Sequence, residues 1–157
     1  MVLKVQPKDD RGFFMLPQAP EGAAYYVYGT PAEGAGQYAH PALMTMLLFV
    51  EMQWAGMDNR KSGIGNISLA GGGSFAPHRS HKKGLEVDVR PIRKDGKRIP
   101  VSWQSTDEYD RAATARLIEL FRAYPGVGKV YFNDPELRHL ALPQRTHDNH
   151  FHVELKG

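Results

Sequence analysis

Two short segments limit what this chain can fold into, because each alternates apolar and polar residues beside a group of histidines. The first, residues 84–91, places a leucine and two valines on one face and Asp88 on the other. The second, residues 151–155, places Phe151 and Val153 on one face and His152 on the other. Alternation with a period of two is typical of half-buried β-strands, so each segment is predicted to be a strand.

The histidines beside these strands predict a metal site. Imidazole nitrogen and carboxylate oxygen are the ligand types that hold a catalytic zinc, and three protein ligands leave one position for water. If the two strands are neighbours, their backbones lie about 4.8 Å apart. The side chains of Asp88 and His152 could then reach each other. His81, on the loop that precedes the first strand, could then close the third side. Five of the seven histidines fall in the two clusters: His78, His81, His147, His150 and His152.

Helical and strand patterns elsewhere place these segments in a larger fold. A helix is predicted to begin at His40 and Pro41 and to end near Gly56, because apolar residues recur at three- and four-residue spacing. The remaining predicted elements are a helix at 107–124, strands at 64–69 and 127–132, a hairpin or loop at 92–101, and an irregular segment at 1–37 with one or two short strands. The sequence therefore predicts one α+β domain over residues 1–157, with a central antiparallel or mixed sheet that carries the site and helices on one face.

Composition excludes several classes of site and partner. The chain has no cysteine, so disulfides, thiolate zinc sites and a cysteine nucleophile are impossible, and any metal must be held by nitrogen and oxygen. The longest apolar stretch, residues 42–50, is too short to span a bilayer, and the first ten residues do not form a secretory signal. A net charge of +3 without a nucleic-acid-binding motif predicts no nucleic-acid partner.

The combined pattern resembles the penicillin-insensitive murein endopeptidases, which belong with lysostaphin, the D-alanyl-D-alanine metallopeptidases and the hedgehog fold. The resemblance runs from about residue 64 to 155 and extends weakly through residues 41–54. The residues that carry it are Gly71-Gly72-Gly73, His78-x-x-His81-x-x-Gly84-Leu85-x-Val87-Asp88-Val89, Val130-Tyr131-Phe132-Asn133 and His147-x-x-His150-x-His152-Val153.

The resemblance implies a role for each residue of the clusters. His81, Asp88 and His152 would bind one zinc ion per chain, and His78 would support these ligands or replace one of them. A histidine beside the metal suits proton transfer because its pKa lies near working pH, so His150 is the favoured general base. Two further candidates remain open: His147 is the second choice, and Glu86 ranks below both histidines as a base or an alternative ligand.

The activity implied is that of a zinc metallopeptidase, a hydrolase that degrades the bacterial cell wall. Such enzymes cut peptide cross-links of peptidoglycan, typically between D-alanine and meso-diaminopimelate, so peptide stems are the expected partner. An antibacterial enzyme of this kind acts in the periplasm or outside the cell. Without a signal peptide, the chain is expected to be phage-borne, injected or trimmed to its mature form.

The chain departs from that family in three ways, since it lacks cysteines, is shorter, and carries Arg98 where relatives are proposed to hold a second metal. Arginine cannot bind zinc, so one ion is predicted. The alternatives are a D,D-carboxypeptidase or dipeptidase on the same scaffold, a zinc-containing binding module without turnover, and a structural zinc. Solvated histidines and a basic nucleic-acid binder are weaker alternatives. The protein is expected to be a monomer. A delivery or inhibitor protein is left open as a partner.

Overall fold

A computed structural model describes residues 6–18 and 22–157, and its helices and strands form an α+β fold. The helices are α1 (Pro41–Ala55) and α2 (Arg111–Ala123), with single 3₁₀ turns at Ala70–Gly72 and Pro135–Leu137. The strands are β1 (Phe14–Met15), β2 (Tyr25–Val27), β3 (Tyr38–Ala39), β4 (Ser62–Ile64), β5 (Glu86–Arg90), β6 (Val127–Tyr131) and β7 (Phe151–Leu155).

Five of these strands form a mixed sheet in the order β2-β4-β5-β7-β6. The β2–β4 pair is parallel and the other pairs are antiparallel, which confirms the predicted α+β class with a mixed sheet. Strands β1 and β3 form a separate antiparallel pair. The two strands singled out in the sequence are neighbours, and their register sets Asp88 directly opposite His152.

Helix α1 follows its predicted bounds because local signals fix both ends. Pro41 occupies the first turn, and the His40 imidazole caps the helix by accepting a hydrogen bond from the Ala42 N–H at 3.0 Å. Gly56 is the C-terminal cap. The predicted core face is confirmed, since the buried residues of the helix are Leu43, Met46, Leu47, Val50 and Trp54.

Helix α2 begins four residues later than the predicted start at residue 107. The Asp110 side chain accepts a hydrogen bond from the Ala113 N–H at 2.9 Å, which caps the helix there. Residues just before it are held elsewhere, because Tyr109 forms a β-bridge with Arg93. The helix ends before Pro125, since the residue that precedes a proline disfavours helical backbone angles.

The predicted strand at 64–69 is wrong beyond Ile64. Gly65 and Asn66 still bond to the backbone of Asp88, but the next two residues find their partners in the chain around β3. The Ile67 N–H donates to the Gly36 carbonyl at 2.8 Å, and the Tyr38 N–H donates to the Ser68 carbonyl at 3.0 Å. In this segment, Asn66 and Ile67 contact His78 and His81, respectively.

The apolar faces of the strands and of both helices belong to one hydrophobic cluster. Val87, Val89, Phe151 and Val153 are fully buried in it, together with the inner residues of α1 and α2. Because strand residues alternate, the intervening polar side chains of β5 and β7 lie on the opposite face of the sheet. Burial of the helices against one face therefore leaves the other face to carry the site.

The segment predicted to be irregular, residues 1–37, contains the short strands β1 and β2 in its described part. Residues 1–5 and 19–21 lie outside the described part of the chain, and so does much of the stretch that was expected not to form a signal peptide. Within residues 6–18 and 22–157, neither helix is long and apolar enough to cross a bilayer.

Candidate metal centre

Three ligand atoms converge where β5 and β7 meet the loop before β5. Asp88 Oδ1 lies 3.0 Å from His152 Nδ1 and 3.3 Å from His81 Nε2. The two imidazole nitrogens are 3.2 Å apart. His81 is 2% exposed, and Asp88 and His152 are each 5% exposed. Burial of polar groups is costly unless they are paired, and in this cluster each of the three buried side chains has the others as partners.

The spacing of these atoms fits a bound metal. Ligand atoms at the corners of a tetrahedron with bonds of about 2.0–2.1 Å lie about 3.3–3.4 Å apart, close to the observed separations. Two imidazoles and a carboxylate form a nitrogen and oxygen donor set that zinc accepts. The sets His78, His81, Asp88 and His81, Glu86, His152 also bring one ligand atom per residue within 4.8 Å. This cluster could therefore bind a metal ion.

His81 is oriented by contacts on both its ring and its backbone. Its Nδ1–H donates to the Ile67 carbonyl at 3.0 Å, which directs Nε2 at Asp88. Its backbone has a φ of 61°, in the left-handed region that is unusual for a residue with a side chain. The backbone N–H donates to the Glu86 carboxylate. Glu86, predicted as a base or an alternative ligand, thus holds the turn at His81.

His152 has a supporting carboxylate that the sequence analysis missed. While Nδ1 faces the cluster, His152 Nε2 lies 3.5 Å from Glu154 Oε1. A carboxylate on the outer nitrogen of a ligand histidine fixes its orientation and raises its basicity. The signal was present in the sequence, because alternation along β7 places Glu154 on the same face as His152.

His78 lies at the edge of the cluster and is held by Asn66. The Asn66 Oδ1 accepts the Thr30 N–H at 3.1 Å, so its Nδ2 donates to His78 Nε2 at 2.8 Å. His78 therefore carries its proton on Nδ1, which lies 3.9 Å from Asp88 Oδ2. Asn66 was not anticipated, since nothing in its local sequence distinguishes it from a loop residue.

His150 and His147 lie together beside the cluster, with ring centroids 4.7 Å apart. The Nδ1 of His150 donates to Asn149 Oδ1 at 2.9 Å, and the Nδ1 of His147 donates to the Arg145 carbonyl at 2.9 Å. Each ring therefore keeps an unprotonated Nε2. That of His150 lies 3.9 Å from Asp88 Oδ1, so it faces the three converging atoms.

The loop that carries His147 and His150 is held by Asp148. One oxygen of Asp148 accepts hydrogen bonds from Trp103 Nε1 at 3.0 Å and from Asn133 Nδ2 at 2.9 Å. These bonds hold the pKa of the Asp148 carboxyl below its usual value. The Asn133 backbone N–H also donates to the His147 carbonyl at 2.9 Å. The loop is thereby fixed to two other parts of the chain.

The loop that carries His78 and His81 is held by the N-terminal segment. Asp9, which is paired with Arg11 at 2.7 Å, accepts the Gly71 N–H at 2.9 Å. Gly71 and Gly72 both have a φ of 75°, which explains why glycine is used there. This glycine-rich loop is tied to a partner more than 60 residues away.

The charges in the cluster shift the protonation of its members. Burial alone would raise the pKa of Asp88, but hydrogen bonds from His152 and His81 outweigh it and hold that pKa well below its usual range. Burial would lower the pKa of His81, but the bond and charge of Asp88 raise it. Burial lowers the pKa of His150 to about 4, with help from the nearby His147. His150 is therefore neutral at pH 7 and able to accept a proton.

The cluster forms the floor of a cleft of about 710 Å³, a size that is typical of ligand sites. All seven residues predicted for the site lie in or beside this cleft: His78, His81, Glu86, Asp88, His147, His150 and His152. Tyr131, from β6, also lines it and was not predicted to do so.

No protein-family model and no curated protein matches this sequence. The chemistry of the site itself therefore has to indicate the function.

Proposed function

We propose that the protein is a zinc-dependent peptidoglycan endopeptidase that hydrolyses peptide cross-links, most specifically the bond between D-alanine and meso-diaminopimelate. The observation that carries this proposal is the convergence of His81 Nε2, Asp88 Oδ1 and His152 Nδ1 within 3.0–3.3 Å on the floor of an open cleft. A three-residue donor set with a free side toward a cleft is typical of catalytic rather than structural zinc.

His81, Asp88 and His152 would hold the ion, and their own supports keep the donor atoms aimed at it. Bound zinc would supply Lewis-acid polarisation of the scissile carbonyl and acidify a water molecule. Ile67 and Glu154 fix which nitrogen of each imidazole faces inward. These contacts orient the ligand histidines through the fold itself.

His150 would take the proton of the attacking water and pass it to the leaving amine. Its Nε2 is unprotonated, faces Asp88 Oδ1 at 3.9 Å and belongs to a ring that is neutral at pH 7. His147 presents a second unprotonated Nε2 beside it, whose lone pair would stabilise the positive charge that develops on the His150 ring when it takes the proton. The Nδ1–H of His78 lies 3.9 Å from Asp88 Oδ2 and would help to hold the carboxylate from that side.

The substrate assignment depends on the resemblance to murein endopeptidases and is supported by the shape of the site. The cleft is bounded by two loops, residues 77–81 and 144–147, and a peptide could lie across the floor between them. A cross-linked peptide continues on both sides of the cut bond, which suits an open cleft. On this proposal, the enzyme holds one zinc ion per chain and acts at the bacterial cell wall.

Mass spectrometry of peptidoglycan fragments tests the proposal directly. Purified peptidoglycan is incubated with the protein, with and without a chelator, and in parallel with the variant His81→Ala. Conversion of cross-linked dimers to monomers that is blocked by the chelator and by the variant supports an endopeptidase. Unchanged dimers with shortened stems would instead indicate a carboxypeptidase. No change in any fragment would favour a zinc-containing binding module.

A further inference from the structure

Two arginines of the cleft, Arg79 and Arg145, are exposed and have no partner among the described residues: neither forms an ion pair, a side-chain hydrogen bond or a contact with an aromatic ring. This distinguishes them from the other arginines. Each of those is engaged by a carboxylate, a carbonyl or a tyrosine ring: Arg11, Arg60, Arg90, Arg93, Arg98, Arg111, Arg116, Arg122 and Arg138.

Both arginines belong to the loops that bound the cleft. Arg79 lies between His78 and His81, and Arg145 lies two residues before His147, whose ring is bonded to the Arg145 carbonyl at 2.9 Å. Each loop thus contributes one guanidinium group beside the histidines that it carries. Lys82 and Lys83 directly follow His81 in the chain but do not line the cleft.

The acidic residues of the cleft do not neutralise these arginines. Asp88 is held by His81 and His152, and Glu154 lies against His152 at 3.5 Å. The formal charge left for a ligand is therefore positive, even before a metal ion adds to it. A guanidinium group is always charged, and its planar fork matches a carboxylate through two parallel hydrogen bonds.

We infer that Arg79 and Arg145 bind free carboxylate groups of the substrate, so that the cleft selects anionic peptides. This inference rests on the proposed function, since it concerns which peptides reach the metal cluster. In the cross-link between D-alanine and meso-diaminopimelate, the carbon that bears the acylated amine also bears a carboxylate. Amidation of that carboxylate removes the charge and keeps the scissile bond. The inference therefore predicts that amidated peptidoglycan is a poor ligand.

The test uses two fluorescent cross-linked peptides that differ only in this carboxylate, one free and one amidated. Their affinities for the zinc-loaded protein are measured by fluorescence anisotropy at low temperature, and the products are followed separately by mass spectrometry. The variants are Arg79→Gln, Arg145→Gln and the double substitution. Lys83→Gln is the control, because it removes the same charge from an exposed position next to the cleft.

We expect the wild type and Lys83→Gln to bind the free carboxylate at least tenfold more tightly than the amide. The double variant should bind both peptides equally, while it keeps zinc and normal thermal stability. Equal affinity of the wild type for the two peptides would overturn the inference. So would an unchanged preference in the double variant, or an equal loss of preference in Lys83→Gln.

Binding and cleavage separate the two proposals. If both peptides are cleaved at the same rate and bound equally, the endopeptidase stands and carboxylate recognition fails. If the free carboxylate is bound through the arginines but neither peptide is cleaved, carboxylate recognition stands and the endopeptidase fails.

Discussion

The guanidinium group of Arg11 donates a hydrogen bond to the backbone carbonyl of Lys82 at 2.7 Å, across 71 positions of sequence. The same side chain donates to the Leu69 carbonyl at 2.9 Å, and its charge is balanced by Asp9. Lys82 is the neighbour of His81 in the chain. An arginine near the N-terminus therefore fixes the position of a candidate metal ligand that it does not touch.

We expect Arg11→Ala to weaken zinc binding about tenfold, because supports of metal ligands typically contribute factors of 10–100. The loss of several charge-assisted hydrogen bonds should also lower the free energy of unfolding by about 2 kcal/mol. Competition with a chromophoric chelator measures the first effect, and denaturant unfolding of the zinc-free protein measures the second. Lys8→Ala removes a similar charge from the same segment and is the control. Unchanged zinc affinity in Arg11→Ala would contradict the role of this contact.

Removal of the metal should lower the stability of the protein. A ligand present at a thousand times its Kd stabilises the folded state by about 4 kcal/mol, so saturating zinc should raise the Tm clearly. In His81→Ala, both this zinc-dependent shift and hydrolysis should disappear. His139→Ala, an exposed histidine outside the clusters, should behave as the wild type. A full zinc-dependent shift in His81→Ala would contradict the assignment of the ligand.

His150→Ala should keep the zinc and lose most of the turnover. General acid–base catalysis by a positioned side chain contributes about 10²–10⁴-fold, so the fall in kcat should lie in that range. Metal content by atomic spectroscopy and initial rates on a cross-linked peptide distinguish this outcome from loss of the ion. His147→Ala is the informative comparison, since a larger loss there would exchange the roles of the two histidines.

Asp148→Ala should reduce kcat about tenfold and leave the zinc affinity nearly unchanged, because Asp148 holds the loop of His147 and His150 but no metal ligand. Trp103→Phe removes only one of the two side-chain donors to Asp148 and leaves an aromatic ring at this position, so its effect should be smaller. Amide hydrogen exchange over residues 144–150 should speed up in Asp148→Ala. If exchange there is unaltered while kcat falls, the loop is not the cause.

The affinity for zinc should increase with pH through the neutral range. Burial lowers the pKa of His81, but the charges of Asp88 and Glu86 raise it overall, so a proton competes with the metal above the usual histidine pKa of about 6.5. Glu86→Gln removes one of these charges, so its affinity curve should move to lower pH. Chelator competition at a series of pH values measures both curves. An affinity that does not change between about pH 5.5 and 7.5 would contradict this linkage.

Local patterns in the sequence predicted the parts of the site that depend on local geometry. Alternation alone assigned Asp88 and His152 to the face opposite the core, and the structure sets them opposite each other in register. Helix α1 was predictable because proline, a capping histidine and an apolar stripe all agree. Glu154 obeys the same alternation as His152 and could have been found in the same way.

The supports of the two loops could not be predicted, since they join residues that are far apart in the chain. Asp148 meets Trp103 across 45 positions, and Arg11 meets Lys82 across 71. Periodicity describes which face a residue occupies and gives no information about which distant residue lies opposite. The end of β4 was misjudged for the same reason, because Gly36 and Tyr38 pair with Ile67 and Ser68, which lie beyond the end of the strand.

Strands β5 and β7, which carry Asp88 and His152, are interior strands of the sheet, each paired on both sides, whereas His81 lies at the end of a loop and His78, His147 and His150 lie on loops. Two of the three candidate ligands thus belong to the sheet, and most of the residues that bound the cleft do not. Evolution, or a designer, could exchange residues 74–80 and 143–149 for loops of other length and charge and keep the ligand strands intact. A single inherited centre could in this way serve a lineage of proteins with different targets.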